Sequence, residues 1–144
     1  MMDYFTKVKN QRHEVIQMPT YTRQINATDD WTEAFQLQNG QTGTLTAAGQ
    51  WSWDNSGMTC GPGGNGQNPP PNCPTVGRQG SLDWRVMTFP PLNPPGNSVQ
   101  AYITYFSTDN QSYPINVAGT YQFRMNDDKL DDNSGSLTVT AVVA

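Results

Sequence analysis

Residues 121–143 read YQFRMNDDKLDDNSGSLTVTAVV, and this stretch decides how the chain folds. On both sides of its acidic centre, apolar and polar residues alternate one by one. The apolar positions are Tyr121, Phe123 and Met125 before the centre and Leu137, Val139, Ala141 and Val143 after it. Alternation with a period of two places one face of a β-strand in a core and the other face outward. The stretch therefore predicts two strands joined by an acidic turn.

The same alternation recurs upstream, between turn signals such as Asn39-Gly40. It predicts further strands at residues 21–27, 31–37, 42–49, 81–89 and 99–106. After the strand at 42–49, the chain is expected to leave the sheet at Trp51–Trp53. Trp31, Phe35 and Leu37 are core candidates in the second strand, and core packing is also the expected role of Trp51 and Trp84. About eight short strands without helical periodicity predict an all-β fold, a jelly-roll-like β-sandwich.

Two regions lie outside this pattern. Residues 1–20 form an N-terminal arm with too few apolar residues for a core of its own, and we interpret it as an extended docking segment for protein neighbours in a larger, oligomeric assembly. Residues 21–144 are then the sandwich domain. Residues 54–80 are a long connection rich in Gly, Pro and Asn, and a loop of this length is usually functional or tethered.

Charge and hydropathy exclude several classes of partner. Residues 25–144 carry four basic and ten acidic residues, which argues against nucleic acid as a partner. No apolar run reaches the length of a membrane span, and the first residues lack the apolar centre of a signal peptide. We therefore expect the protein outside the cell or on a virion surface after release, and otherwise in the cytoplasm.

The two cysteines, Cys60 and Cys73, flank twelve residues of Gly-, Pro- and Asn-rich chain. One interpretation is a disulfide, which would stabilise the fold by about 3 kcal/mol on the loop-entropy model. The other is two separate thiols, and the sequence leaves both open. The spacing does not match a zinc site, because no second pair of ligands lies nearby.

The acidic turn places four aspartates and two asparagines within residues 126–133. Carboxylates this close repel one another unless a positive charge lies between them. Ca²⁺ prefers such oxygen ligands, so the turn predicts a calcium site, although the order of residues is not that of an EF-hand. The alternative is a solvated turn that protects a sheet edge.

An enzyme is not expected. The aspartates are bunched in one turn, whereas glycoside hydrolysis needs two carboxyl groups facing each other across a cleft. The single histidine, His13, lies in the arm, and neither cysteine belongs to a nucleophile motif.

Three segments together resemble one family. They are INATDDW at 25–31 with LQNGQTGTLTAAGQWSW at 37–53, YPINVAGTYQF at 113–123 running into Asn126-Asp127, and DNSGSLTV at 132–139. In this order they resemble the PA-I-type galactophilic lectins, a family of bacterial calcium-dependent β-sandwich domains. The resemblance covers residues 21–144, with a poor match over 54–98.

The resemblance implies a Ca²⁺ site between the end of the AAG strand and the acidic turn. Its ligands would be main-chain carbonyls of Trp53 and of Leu130 or its neighbour, and side-chain oxygens of Asp127, Asp132 and Asn133. In galactose-binding members the ion also binds two sugar hydroxyls. The implied ligand-binding residues are therefore Trp53, whose ring could also stack on a sugar, Asp127 and Asp132. The galactose-specific lectin also uses a glutamine of the long loop, where both Gln67 and Gln79 are available here, and we assign this role to Gln67.

The chain departs from the galactose-specific lectin at three points. Asp132-Asn133 stands where that lectin has two asparagines, the acidic turn is two residues shorter, and residues 54–80 contain no histidine to fix the sugar. The expected function is a calcium-dependent carbohydrate-binding module that binds a galactoside-like glycan on cell surfaces while displayed on a larger assembly. The alternative is a decoration or adaptor protein of a phage virion with a lectin-like fold and no sugar binding.

Overall fold

The computed structural model describes residues 4–5, 7–8, 18–54, 57–92, 94 and 96–144, with the backbone alone for the first two pairs. The predicted arm, residues 1–20, therefore lies largely outside the described residues. None of the described residues belongs to a helix of the length and apolarity needed to cross a membrane.

The described chain is built from β-strands. Two short strands, β1 (Tyr4–Phe5) and β2 (Lys7–Val8), pair with each other. Eight longer strands follow, namely β3 (Thr20–Asn26), β4 (Thr32–Leu37), β5 (Gly43–Ser52), β6 (Leu82–Met87), β7 (Gln100–Tyr105), β8 (Tyr113–Ile115), β9 (Gly119–Met125) and β10 (Ser134–Val143). They form two antiparallel sheets, ordered β3-β10-β5-β8 and β4-β9-β6-β7. This strand order is that of a jelly roll, which confirms the predicted fold class.

The core is the layer of apolar side chains between the two sheets. Alternate residues of β9 and β10 point into it, as the sequence pattern predicted, and Leu137 and Phe123 are fully buried. Aromatic rings fill the centre: Phe35 stacks on Tyr121 with ring centroids 4.7 Å apart. Trp84 meets Tyr113 edge-on at 4.8 Å. The predicted core roles of Trp51 and Trp84 are confirmed, because each is at most 2% exposed.

The expectation that Trp31 lies in the core is wrong. Glu33 pairs with Gln122 and Phe35 with Tyr121, so an extra residue forms a β-bulge between Glu33 and Phe35. A bulge shifts the alternation of side chains by one residue. Phe35 and Leu37 therefore face the core, whereas Trp31 lies outside it, 4.5 Å below the guanidinium of Arg85.

Two strand predictions also need correction. β5 does not end at Gly49 but continues through Trp51 to Ser52, because β10 pairs with it along its whole length. Strand β8 was not predicted, since Tyr113–Ile115 has only three residues and includes Pro114. A proline is tolerated there because β8 is the edge strand of its sheet.

The long connection between β5 and β6 is tied to the body at both ends. Near its start, Cys60 exchanges two backbone hydrogen bonds with Trp51, of 3.0 and 2.9 Å. At its end, the carbonyl of Gly80 accepts a hydrogen bond from Trp51 Nε1 at 3.0 Å. Gly80 has φ +79°, and a Cβ there would lie 2.9 Å from Cys60 Sγ, so only glycine fits.

The two cysteines are separate thiols. Burial, with a smaller contribution from the carboxylate of Asp109, raises the pKa of Cys60 to about 12. Burial and the carboxylates of Asp128 and Asp127 raise the pKa of Cys73 to about 11. Both thiols therefore stay protonated near neutral pH, a state with little nucleophilic or metal-binding character.

Candidate metal and glycan site

The acidic turn connects the two sheets at one end of the sandwich. It begins after β9 and ends where β10 starts, and the last residue pair between β10 and β5 is Ser134 with Ser52. Continuing this antiparallel register by one residue puts Trp53 opposite Asn133. The topology thus brings the end of the AAG strand beside the turn, in the relation that the resemblance implied.

Three oxygens of the turn are buried and accept no hydrogen bond from any described group. They are Asp127 Oδ2, Asp132 Oδ1 and Asn133 Oδ1. Leaving a buried acceptor without a partner costs about 1–3 kcal/mol, and more when it is charged. These residues are the three whose side chains the sequence assigned to a calcium ion. Carboxylate and amide oxygens are of the type that a hard cation accepts as ligands.

The other atoms of these side chains are held by the protein. Asn133 Nδ2 donates a buried hydrogen bond of 2.8 Å to the carbonyl of Ala27, which follows β3. That bond orients the amide so that its nitrogen has a hydrogen-bond partner and its oxygen has none among the described groups. Asp132 uses Oδ2 at the surface, 4.0 Å from Lys129 Nζ, while its Oδ1 is buried. The turn therefore orients its acceptors without the help of a ligand.

Burial raises the pKa of Asp127 above its ordinary range, and the neighbouring Asp128 adds to this rise. The backbone N–H of Lys129 and the side chain of Asn133 oppose it. A carboxylate in this position is costly to ionise on its own, because no described ion pair involves it. Arg124 donates to the main-chain carbonyl of Asp127 at 2.8 Å, while its ion pair is with Asp30. A bound cation would reverse this cost.

Two main-chain carbonyls were assigned to the same site. The Leu130 carbonyl accepts the N–H of Asn133 at 3.1 Å, which closes a tight turn over Asp131 and Asp132 and leaves the second lone pair of that oxygen. Trp53 is partly buried against the core and meets Trp51 edge-on, with centroids 6.3 Å apart. The sugar-stacking role of Trp53 stays a prediction.

The described residues contain no cluster of three or more His, Cys, Asp or Glu side chains arranged to hold a metal. The candidate set is of another kind, since it combines two carboxylates with an amide oxygen and main-chain carbonyls. Such mixed oxygen sets are what Ca²⁺ accepts in proteins, whereas thiolate and imidazole sets select other metals.

No described contact connects Gln67 to the turn. Its side chain is exposed, its N–H donates to Asn65 Oδ1, and its carbonyl accepts the N–H of Gln79. The loop reaches the turn instead through Thr75 and Arg78. Both bind the side chain of Asn126, the buried residue immediately before Asp127.

Sequence reasoning missed how Asn126 and Asp83 hold this loop. Asn126 Nδ2 donates to the Arg78 carbonyl at 3.1 Å, and its Oδ1 accepts the N–H of Thr75 at 3.2 Å. Asp83 lies fully buried on the outer side of β6 and accepts hydroxyl hydrogen bonds from Thr75 and Ser81. The only available signal was Asp83 itself, a charged residue inside the apolar run of a central strand.

No known protein family and no curated protein matches this chain by sequence. Among solved structures, it is similar to the N-terminal domain of EclA, described as a PllA-like lectin. The TM-score is 0.55 at 21% identity, over 86% of this chain and 96% of that one. The likeness therefore extends over nearly the whole of that lectin domain. At this identity it shows the fold: this chain is a β-sandwich with a lectin-like architecture.

Proposed function

We propose that the protein is a calcium-dependent carbohydrate-binding module that attaches a larger assembly to cell-surface glycans. The observation that carries the proposal is the group of three buried oxygens without donors, on Asp127, Asp132 and Asn133, at the end of a lectin-like sandwich. Trp53 and Leu130 would complete the ligand set with main-chain carbonyls. The name of the similar solved domain supports glycan as the ligand class.

The side chains of the turn would have different roles in binding the ion and the glycan. Asp127 and Asn133, both less than 10% exposed, would form the inner side of the site. Asp132, with one buried and one surface oxygen, would border the solvent where a glycan arrives. When bound, Ca²⁺ accepts sugar hydroxyls in place of water because its coordination is flexible.

A thermal unfolding experiment tests whether the turn binds Ca²⁺. In Asp127→Asn, one buried carboxylate loses its charge while its shape is kept. We expect millimolar CaCl₂ to raise the melting temperature of the wild type by several degrees over EDTA, since a ligand that binds only the folded state stabilises it by about 2.7 kcal/mol at 100 times its Kd. The variant should lose most of this rise.

The matched control is Asp131→Asn, which removes the same charge from the same turn at an exposed carboxylate whose one described ion pair is with Lys129. It should keep the calcium-dependent rise. Equal rises in all three proteins, or none in the wild type, would contradict the site.

A glycan array tests the sugar. We expect signals on galactose-terminated glycans with CaCl₂ that disappear with EDTA, and Asp127→Asn should abolish them. An array without signal, combined with co-purification of the full chain in a large particle, would instead support the structural decoration role.

A further inference from the structure

A second concave surface lies next to the proposed sugar site. It is a groove of about 750 Å³ between residues 68–76 of the long loop and Ile103, Thr104 and Tyr105 of β7. Its volume lies within the range of small-molecule sites, which is about 300–1,000 Å³. Neither the acidic turn nor the function proposed above uses it.

The walls of the groove are rigid and partly apolar. Pro69, Pro70 and Pro71 have fixed φ angles, and Asn72 follows them with φ +71°. Pro at the second and a left-handed Asn at the third position match a type II turn. Val76, at the rim, is 89% exposed and adds apolar surface to the groove.

The backbone of the loop at Gly77 packs closely against Tyr105 of β7. A Cβ on Gly77 would lie 2.6 Å from the Tyr105 ring and 2.8 Å from Ser81 Oγ, so the backbone can approach the ring only at a glycine. Thr75, which also lines the groove, donates its hydroxyl to Asp83 at 3.1 Å. The groove is therefore formed before any ligand binds, which lowers the entropy cost of binding.

The groove lies close to the acidic turn. Thr75 is hydrogen-bonded to Asn126, the residue that precedes Asp127. Cys73 lines the groove, and its thiol lies close enough to Asp127 and Asp128 for their carboxylates to raise its pKa. A ligand held at the turn would thus have this groove beside it.

We infer that the groove binds the next sugar units of the glycan whose terminal unit is held at the acidic turn, so that the protein recognises an oligosaccharide and not a single sugar. The inference rests on the proposed function. Proline rings and the Tyr105 side chain offer apolar surface to the C–H faces of a pyranose, and the amides of Asn68 and Asn72 offer donors and acceptors to its hydroxyls.

The test compares sugars of different length on altered grooves. An array would carry each terminal sugar both as a monosaccharide and at the end of di- to tetrasaccharides, with CaCl₂ or EDTA. For the best-binding series, titration calorimetry would then measure the wild type and the double variant Pro70→Ala/Val76→Ser. The control is Pro90→Ala/Leu92→Ser, the same changes in the other proline-rich connection, where Pro90 is exposed and Leu92 is 91% exposed.

We expect the wild type to bind the oligosaccharide roughly tenfold or more tightly than its terminal monosaccharide. The groove variant should lose most of that difference and keep its monosaccharide affinity and melting temperature, while the control behaves as the wild type. Two results would overturn the inference about the groove and leave the proposed function standing. In the first, the wild type binds the monosaccharide and the oligosaccharide equally tightly with calcium. In the second, the groove variant loses the same affinity for both sugars. No calcium-dependent signal on any sugar would overturn both.

Discussion

Two aspartates of this domain are buried without a cation, and their surroundings differ. Asp127 shares its turn with two other buried oxygens that accept no hydrogen bond from any described group, on Asp132 and Asn133. Asp83 lies under the long loop, where the hydroxyls of Thr75 and Ser81 donate to its Oδ1. Its Oδ2 is also buried without a described partner, which suits a protonated carboxyl group. Asp83 is thus a structural carboxyl that holds a loop, and the cost of burying it should appear in stability.

The pH dependence of stability tests the role of Asp83. Burial, opposed by the Ser81 and Thr75 hydrogen bonds and by Arg124, raises its pKa from the ordinary 3.8 to about 8. As pH rises, the carboxyl group of Asp83 loses its proton at a lower pH in the unfolded chain than in the folded protein. The free energy of unfolding should therefore fall as pH rises from about 4 to about 8. Each unit of pKa difference corresponds to about 1.4 kcal/mol, so the full effect is a few kcal/mol.

Asp83→Asn keeps an acceptor for both hydroxyls and cannot ionise. In urea unfolding with EDTA present, we expect it to be more stable than the wild type at pH 8 and nearly equal at pH 4. A difference that does not change between these pH values would show that Asp83 is ionised in the folded protein.

At the scale of elements, one buried amide connects the long loop to the end of β9. Asn126 is fully buried and satisfies the N–H and carbonyl of Thr75 and the carbonyl of Arg78 with its side chain. Its own backbone pairs with Ser81 and Gly80. One residue therefore holds the loop, the start of β6 and the base of the acidic turn together.

Replacing this amide should release the loop. In Asn126→Ala, three partly buried backbone groups lose their partner. We expect a loss of about 2–4 kcal/mol, since an unsatisfied group costs about 1–3 kcal/mol when it is fully buried and less when water can reach it. Amide hydrogen exchange should become faster at residues 73–80 in particular. Asn110→Ala, an exposed position in another loop, is the control and should change neither quantity. Unchanged exchange at residues 73–80 in Asn126→Ala would contradict this role.

At the scale of the whole molecule, residues 18–144 contain both four-stranded sheets and, among the residues whose side chains are described, the whole buried core. The carbonyl of Pro19 accepts the N–H of Val143, and Thr20 pairs with Val142, so the sandwich includes the chain from Pro19 onward. The docking function that we predict for the arm would then be separate from folding.

Deletion of residues 1–17 tests this separation. We expect the truncated chain to keep the melting temperature and the calcium response of the full chain, because the core residues that the structure describes are all retained. Size-exclusion chromatography and co-purification should show that it no longer joins the larger assembly. A truncated chain that still assembles would contradict the docking role of the arm, and one that unfolds would place the arm in the fold.

Local pattern was enough to identify the strands β9 and β10, the all-β class and the oxygen-rich turn, because alternation and side-chain type act over a few residues. It failed at Trp31, where a bulge in the pairing with β9 reversed the faces of β4. It also failed at Asn126 and Asp83, whose partners lie 51 and 8 residues away. The packing of the two sheets brings distant chain segments together at the acidic turn. This contact decides which oxygens of the turn stay without a donor and which loop lies beside them, and no local signal in the sequence encodes it.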